Sequence, residues 1–383
     1  MNISSWYASH FEPQLRGRYV SLESIFPLLD VYRNFYEISI LGESEKHRDI
    51  PLIKLGFGKK KVLAWSQMHG NETTTTKAIF DFLKFLSQKT HFQDEIRVFL
   101  DRYTLFIIPI LNPDGAERYI RENANSIDLN RDAQNLSQKE SVVLRTVFDL
   151  VQPELCLNLH DQRTIYGLDS GLPATVSFLA PAADEHCSVT LGRKTAMEHI
   201  VRMNQLLQEF IPGQVGRYDD AFNINCVGDT FQNAEVPTIL FEAGHFQKDY
   251  HREKTREYIF YAFLSLFEII KPTESVVTYK DYFHIPENKV NFKDIILRNV
   301  RINHKSEPTS IAIQYVEVLD SNEIQFEGIV DAMGNLDGFR GHYERDCNGN
   351  IILINSQKNV GVGEKVVKII AENNESVVYF PVK

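Results

Sequence analysis

Between Val62 and Ile270 the chain alternates short, almost uninterrupted apolar runs with longer amphipathic stretches. The runs Val62–Ser66, Leu105–Leu111, Leu155–His160, Val176–Ala180 and Thr238–Glu242 read as strands covered on both faces. Helices are predicted over Thr73–Leu86, Gln138–Val151, Leu191–Phe210 and His251–Ile270; the first carries Ile79, Phe82, Leu83 and Leu86 on one side. Strands alternating with helices predict an α/β fold, with a mixed, largely parallel sheet flanked by helices.

After Lys271-Pro272 the texture changes. Val276–Tyr279, Ile295–Ile302, Ile311–Val318, Ile324–Ile329 and Val366–Ile370 read as strands, and Asp337-Gly338 and Asn348-Gly349-Asn350 as turns. A boundary near residues 271–276 divides an expected catalytic domain, 1–272, from a small all-β domain, 273–383. With 43% hydrophobic and 24% charged residues among 383, the chain has material for a sizeable core and is not a disordered tail. A formal net charge of −10 argues against nucleic acid bound through a general basic face. No apolar run approaches the ~20 residues of a membrane span, and no signal peptide is evident. Cys156, Cys187, Cys226 and Cys347 are scattered and read as thiols in a reducing compartment. The expectation is a cytoplasmic protein, or a periplasmic one if a leader has been removed. Oligomeric state is not legible.

Gln67-Met68-His69-Gly70-Asn71-Glu72 follows a predicted strand and opens a predicted helix. His69 and Glu72 then converge above the carboxyl end of the sheet, where open α/β folds keep their sites. Alone, H-x-x-E is common by chance, and a Glu at a helix start also suits the helix dipole. His160 ends the run Leu157-Asn158-Leu159; it reads either as a core histidine or as a third ligand. Two His and one Glu make a zinc set that leaves one position open, as in catalytic sites. Glu242, after four apolar residues, is costly to bury without a partner, so it forms an ion pair or serves as a general base. Asn112-Pro113-Asp114-Gly115 alone is a turn. Arg121 and Arg131 flank a polar segment and could clamp a carboxylate and polarise a carbonyl, or lie idle on the surface.

Taken in order, H-x-x-E, N-P-D-G, R-x-N-A-N-x-x-D-L-N-R, a strand-ending His and a strand-ending Glu resemble the zinc carboxypeptidases related to carboxypeptidase A, the peptidase family often called M14. The resemblance runs over roughly residues 35 to 270. It implies one zinc ion held by His69, Glu72 and His160, with Asp128 orienting the first histidine. It implies Glu242 as the base that activates a zinc-bound water and Arg121 as the group that stabilises the oxyanion. Asn130 and Arg131 match the pair that binds a substrate's terminal carboxylate. The family's mobile tyrosine has no clean counterpart: Tyr218 is the candidate substrate-binding residue, and Phe222 lies at the closer spacing. His160 is followed by Asp161-Gln162-Arg163, not by the serine and tyrosine of digestive members, and the interval from Glu72 to His160 is shorter than theirs. His245, Arg163 and Tyr166 are further candidates to border the pocket. Asn71-Glu72-Thr73 is also a glycosylation sequon; a glycan inside the metal site would disfavour a eukaryotic secretory route.

The function expected from the resemblance is a zinc metallocarboxypeptidase that hydrolyses C-terminal peptide bonds. An aspartoacylase-like zinc deacylase of N-acyl amino acids is the alternative, and a non-catalytic zinc-bearing binding module is the third. A peptide or acyl-amino-acid substrate is expected, with neither nucleic acid nor membrane as partner. Side-chain specificity is not legible in the sequence.

Overall fold

The computed structural model describes residues 2–273, 276–304, 306–357, 361–372 and 376–378. It divides into two compact units, one of residues 1–162 and 174–288, the other of 163–173 and 289–383.

In chain order the helices are α1 (Ile3–His10), α2 (Leu22–Tyr32), α3 (Thr74–Ser87), α4 (Gln93–Arg102), α5 (Pro113–Arg118), α6 (Lys139–Val151), α7 (Leu191–Gln208), α8 (Val227–Asn233) and α9 (Glu253–Leu266). The strands up to this point are β1 (Glu37–Glu43), β2 (Asp49–Leu55), β3 (Lys60–Ser66), β4 (Tyr103–Ile108), β5 (Leu155–Asp161), β6 (Tyr166–Gly167), β7 (Val176–Leu179), β8 (Val215–Arg217) and β9 (Thr238–Ala243). All but β6 build one sheet in the order β1-β2-β4-β3-β5-β9-β7-β8. Its centre, β4-β3-β5-β9, is parallel. Antiparallel pairings join β1 to β2, β2 to β4 and β7 to β9, so the sheet is mixed around a parallel core.

Strand alternation sorts the core into two layers. Val62, Ala64, Leu155, Leu157, Leu159, Ile239 and Phe241 face the cluster that includes α3, α7 and α9. Leu63, Trp65 and Cys156 face the cluster built on α6 and α8, where Phe148 stacks on Phe231 at 3.9 Å. On β5 the residues in step with Cys156 are Asn158 and His160. On β9 those out of step with Ile239 and Phe241 are Leu240 and Glu242. His160 and Glu242 are also register partners, so both stand on the α6/α8 face at adjacent strand ends.

The first unit continues past the change in sequence texture, to Asn288. Tyr282 is fully buried, and its hydroxyl accepts the Ala180 N–H at 3.2 Å. Val276–Tyr279 is not a strand; Thr278 caps a 3-10 turn, Tyr279–His284. The second unit is a β module. Its strands are β10 (Lys289–Val290), β11 (Phe292–Val300), β12 (Thr309–Asp320), β13 (Glu323–Gly334), β14 (Arg340–Asp346), β15 (Ile352–Ile354), β16 (Lys365–Val366), β17 (Ile369–Ala371) and β18 (Ser376–Val378). A five-stranded sheet, β14-β11-β12-β13-β16, and a three-stranded sheet, β15-β17-β18, share a core of Ile295, Leu297, Ile313, Val330, Ile352 and Ile369.

In the first unit the amino-terminal segment is tied down by a buried ion pair. Arg256 of α9 donates through Nε and Nη2 to both oxygens of Asp81 on α3, each at 2.6 Å, and both side chains are fully buried. Asp81 also accepts the Tyr7 hydroxyl at 2.9 Å and the Glu12 N–H at 2.7 Å. Arg256→Met strands a buried carboxylate and should lower the unfolding free energy by about 3–5 kcal/mol. Adding Asp81→Leu should return much of that loss; a urea midpoint in Arg256→Met equal to wild type would contradict the assignment.

His199 on α7 gives a pH-dependent contribution. Burial, then the nearby Arg202, push its pKa down to about 4. An unfolded histidine titrates near 6.5. Below that value the unfolded chain binds a proton that the folded chain resists, so stability falls as pH drops from about 6.5 toward 4. His199→Gln should flatten this part of a midpoint-against-pH curve, while leaving the curve above pH 7 parallel to wild type.

Candidate metal centre and active site

Chain reversal after β3 puts the first two ligand candidates in place. Gln67 takes a left-handed φ of 44°, and its side-chain amide donates to the carbonyls of Val20 and Gly70 at 2.9 and 3.0 Å. The Glu72 N–H closes the turn on the His69 carbonyl at 3.1 Å. Glu72 therefore precedes α3 rather than lying in its first turn. A Cβ on Gly70 would sit 2.0 Å from the Gly115 backbone, so only glycine lets this turn press against α5. The N-P-D-G motif builds that helix: Asn112 caps it by accepting the Gly115 N–H at 2.8 Å, and Pro113 begins it. Through its amide nitrogen Asn112 also reaches the Met68 carbonyl at 3.2 Å.

His69, Glu72 and His160 meet. Their potential ligand atoms lie within 4.8 Å of one another, and all three residues are buried. His69 Nδ1 is 2.8 Å from Glu72 Oε1, and His160 Nδ1 is 2.7 Å from Glu72 Oε2. The two Nδ1 atoms are 3.1 Å apart. On its other side His69 Nε2 faces Asp128 Oδ1 at 3.1 Å. Both ring nitrogens of His69 thus face carboxylates, which can only accept; with a cation on the Nδ1 side, the ring would keep its proton on Nε2, donated to Asp128. With the protons of both rings on their Nε2 atoms, lone pairs from two imidazoles and a carboxylate would converge on one small volume that a cation can fill. Two nitrogen donors and a carboxylate suit zinc, with a coordination position to spare.

The electrostatics follow from the same contacts. Burial opposes ionisation of Glu72, yet the charges and hydrogen bonds of His69 and His160 hold its carboxyl far below the usual range. Burial likewise works against the Asp128 charge, but the His69 hydrogen bond and the His69 and Arg121 charges keep that carboxyl low. Burial pushes the His160 pKa down, favouring the neutral ring that ligates metals. For His69, burial is outweighed by Glu72 and by the bonds to Asp128 and Glu72, and its pKa rises.

Glu242 stands beside His160 on the next strand. Burial, then the Glu72 charge, then Asp161 raise its pKa well above the ordinary value. Its Oε2 is buried with no hydrogen-bond partner among the described residues. A divalent cation at the ligand cluster would offset that repulsion and draw the pKa back down. Arg121 donates to Asp128 Oδ2 from Nε at 3.1 Å and Nη2 at 3.0 Å, and its Nη1 lies 3.4 Å from Glu72 Oε1. Asn130 fixes the start of α8, its Oδ1 accepting the Val227 N–H at 3.2 Å. Arg131 is exposed, and among the described residues no ion pair involves it. Tyr218 leaves the edge strand β8 half-buried, its backbone N–H on the Phe178 carbonyl. His245 is buried, its ring centroid 4.6 Å from that of Tyr250. Arg163 and Tyr166 fall within the second compact unit.

Comparison with known proteins places the fold. The profile of a family described as zinc carboxypeptidase matches residues 27–146. Over that stretch the chain is similar to the zinc carboxypeptidases. Mouse carboxypeptidase M is 26% identical over 166 residues, which is 39% of this chain and 36% of the mouse protein; the match thus spans little more than a third of that relative. Among solved structures, a metallo-carboxypeptidase from Burkholderia cenocepacia superposes with a TM-score of 0.53 at 18% identity, covering 66% of this chain and 69% of its own. Carboxypeptidase A from Helicoverpa armigera gives 0.51 at 16%, covering 66% and 72%. The fold is therefore that of the metallo-carboxypeptidases, and the family is zinc-dependent. Among the described residues, no helix is long and apolar enough to cross a membrane.

Sequence reasoning passed over the support behind the ligands. Asp161 accepts the Thr74 N–H at 3.0 Å and its hydroxyl at 2.5 Å. Arg252 donates to the carbonyls of Ala243 and Gln162 at 2.5 and 2.8 Å, tying the ends of β9 and β5 together. The available signal was an acidic residue directly after a ligand histidine in an apolar strand.

If the cluster holds zinc, chelation should lower the thermal midpoint and readdition restore it. A free ion at a hundred times its Kd would stabilise by about 2.7 kcal/mol. Glu72→Gln should abolish this response, and Gly70→Ala should weaken it by displacing the turn. A midpoint indifferent to chelator and zinc would count against the site.

Proposed function

We propose that this chain is a zinc-dependent metallocarboxypeptidase that removes residues from the free carboxyl end of peptides. The observation that carries the reading is the convergence of His69, Glu72 and His160, with the Glu242 carboxylate at the neighbouring strand end on the same face of the sheet. A single zinc ion would be held by His69 Nδ1, His160 Nδ1 and the Glu72 carboxylate. When bound, it supplies Lewis acidity toward the scissile carbonyl and toward water.

The chain's own groups do the remainder. Glu242 accepts a proton from the attacking water and returns it to the departing amine, so the peptide bond breaks with no net change at the carboxylate. Its unshared Oε2 leaves an acceptor free for that water. Arg121 is anchored on one side by Asp128 and presents Nη1 toward the ligand carboxylate, where it can stabilise negative charge developing on the carbonyl oxygen. Asp128 keeps the His69 ring in the tautomer that leaves Nδ1 free. Arg131 has no described ion pair to surrender and can take the substrate's terminal carboxylate bidentately. The Asn130 amide nitrogen, with its oxygen already committed to Val227, is oriented to donate to the same group. Holding that carboxylate selects the last peptide bond for attack. Tyr218 is the aromatic residue proposed to close over the substrate.

Glu242→Gln should reduce kcat by several orders of magnitude while zinc stays bound, since the amide cannot take the proton. Arg131→Ala should mainly raise KM for peptides with a free terminus. Peptides with free ends, their C-terminal amides and N-acyl amino acids, assayed side by side, decide between peptide and acyl-amino-acid substrates. Hydrolysis of amidated peptides as fast as free ones would contradict the carboxylate anchor. Turnover undiminished in Glu242→Gln would remove Glu242 from the chemistry.

A further inference from the structure

We propose that Asp161 is a positioning residue for the metal cluster: with Thr74 it clasps the end of β5 to the start of α3 and so fixes the spacing between Glu72 and His160. The inference rests on the metal reading above, and it assigns a role to a residue outside the ligand set.

The argument begins with which parts carry the ligands. Glu72 belongs to the turn ahead of α3, and His160 to the end of β5. These segments lie 88 residues apart in the chain, and no covalent feature sets their separation. Two bonds running in opposite directions do. The Asp161 N–H donates to Glu72 Oε2 at 3.2 Å, and the Thr74 N–H donates to Asp161 Oδ2 at 3.0 Å. The Thr74 hydroxyl adds a third bond to the same oxygen at 2.5 Å. Each segment thus gives one backbone donor to a carboxylate of the other.

The environment makes this clasp stiff. Asp161 and Thr74 are both buried, and Arg18 Nη2 lies 3.9 Å from Asp161 Oδ2. Threonines continue through the first turn, and the hydroxyl groups of Thr73, Thr75 and Thr76 bond to the Arg18 carbonyl, to Ser66 and to the Pro109 carbonyl and Ser66 respectively. A run of four β-branched residues is poor helix material and polar besides. Here it forms a buried hydrogen-bonded layer behind the ligands, where small shifts of α3 against β5 are resisted. Because Asp161 and His160 point to opposite faces of β5, the side chain that holds the scaffold does not compete for the ion. Partners of this kind behind a metal site typically govern affinity by about 10–100-fold.

The test measures zinc affinity by competition with a chromophoric chelator, together with the visible spectrum of the cobalt-substituted protein and the urea midpoint of the metal-free protein. Asp161→Ala should weaken zinc binding by about 10–100-fold and alter the cobalt spectrum. Asp161→Asn loses the charge but keeps an accepting oxygen, so it should lie closer to wild type than to Asp161→Ala. Thr74→Val removes only the hydroxyl and should weaken zinc binding, while Thr74→Ser should restore it. If the alanine variant does not fold, the Thr74 pair decides. Zinc affinity and cobalt spectra equal to wild type in Thr74→Val, with only the urea midpoint changed, would reduce the contact to helix capping and overturn the proposal. Asp161→Asn as weak as Asp161→Ala would overturn it too, since charge and not the clasp would then be responsible. Wild-type protein that binds no zinc would instead fail the metal reading, and the clasp with it.

Discussion

Glu72 faces two imidazole nitrogens at 2.8 and 2.7 Å, a buried set of three groups that either protons or a cation can bridge. Asp128 lies on the far side of the His69 ring, where it can hold the ring proton and leave the near side to a cation. Burial keeps water from taking that place. The neighbouring structure holds the three groups together: the turn from Gln67 to Glu72 is braced against α5 through Gly70, and β5 lies between two parallel partners. A fold that holds these donors together could take a cation, and the other features of the site can be understood from that.

Glu242 illustrates the point. On the apoprotein its pKa is raised by burial and by the charges of Glu72 and Asp161. Those three carboxylates, with Asp128 behind His69, would be an unstable concentration of charge without compensation. Arg121 and Arg252 supply some of it, through contacts to Asp128 and to the ends of β5 and β9. A divalent ion bound by His69, Glu72 and His160 would supply the remainder at the point where it also counts for chemistry. In the proposed reaction the base must be ionised to accept a proton and yet basic enough to want it, and a buried carboxylate beside a cation meets both requirements.

Much of this was legible in the sequence, for identifiable reasons. Parallel strands buried on both faces are continuous apolar runs, so β3, β5 and β9 stood out, and the residues that end them are conspicuous because they are polar: His160 and Glu242. α3 was found from its apolar face, but its first turn was read as ordinary helix. The hydroxyl groups of Thr73 to Thr76 became intelligible only when the buried acceptors around them were visible. α1 and α2 were not predicted; their stability comes from docking, with Trp6 and Ile25 fully buried and Asp81 receiving Tyr7 and Glu12. The apolar run Val276–Tyr279 misled because its flanks lack the pairing partner that a strand needs; Thr278 capped a turn instead. Arg163–Pro173 could not be assigned to the second unit from sequence, since long-range strand pairing such as Tyr166 with Val290 leaves no local periodic signal.

The two arginines show why a side chain's present partners matter more than its motif. Only the motif order told them apart in the sequence, giving Arg121 the oxyanion and Arg131 the terminal carboxylate. In the fold Arg121 spends two of its nitrogens on Asp128, and that anchor aligns it with the ligand cluster; releasing it to bind substrate would uncouple the His69 tautomer from its support. Among the described residues the Arg131 guanidinium donates to the adjacent Asn130 carbonyl, at 3.0 Å, and the side chain is exposed, so pairing with an incoming carboxylate displaces little besides water. A surface pair of that kind is weak by itself, worth about 0–1 kcal/mol. Its value in the proposed reaction is registration: a modest interaction at the substrate's end, combined with a carbonyl drawn to the metal, leaves one bond in reach of Glu242, and selectivity then depends on the distance between two anchors more than on the strength of either.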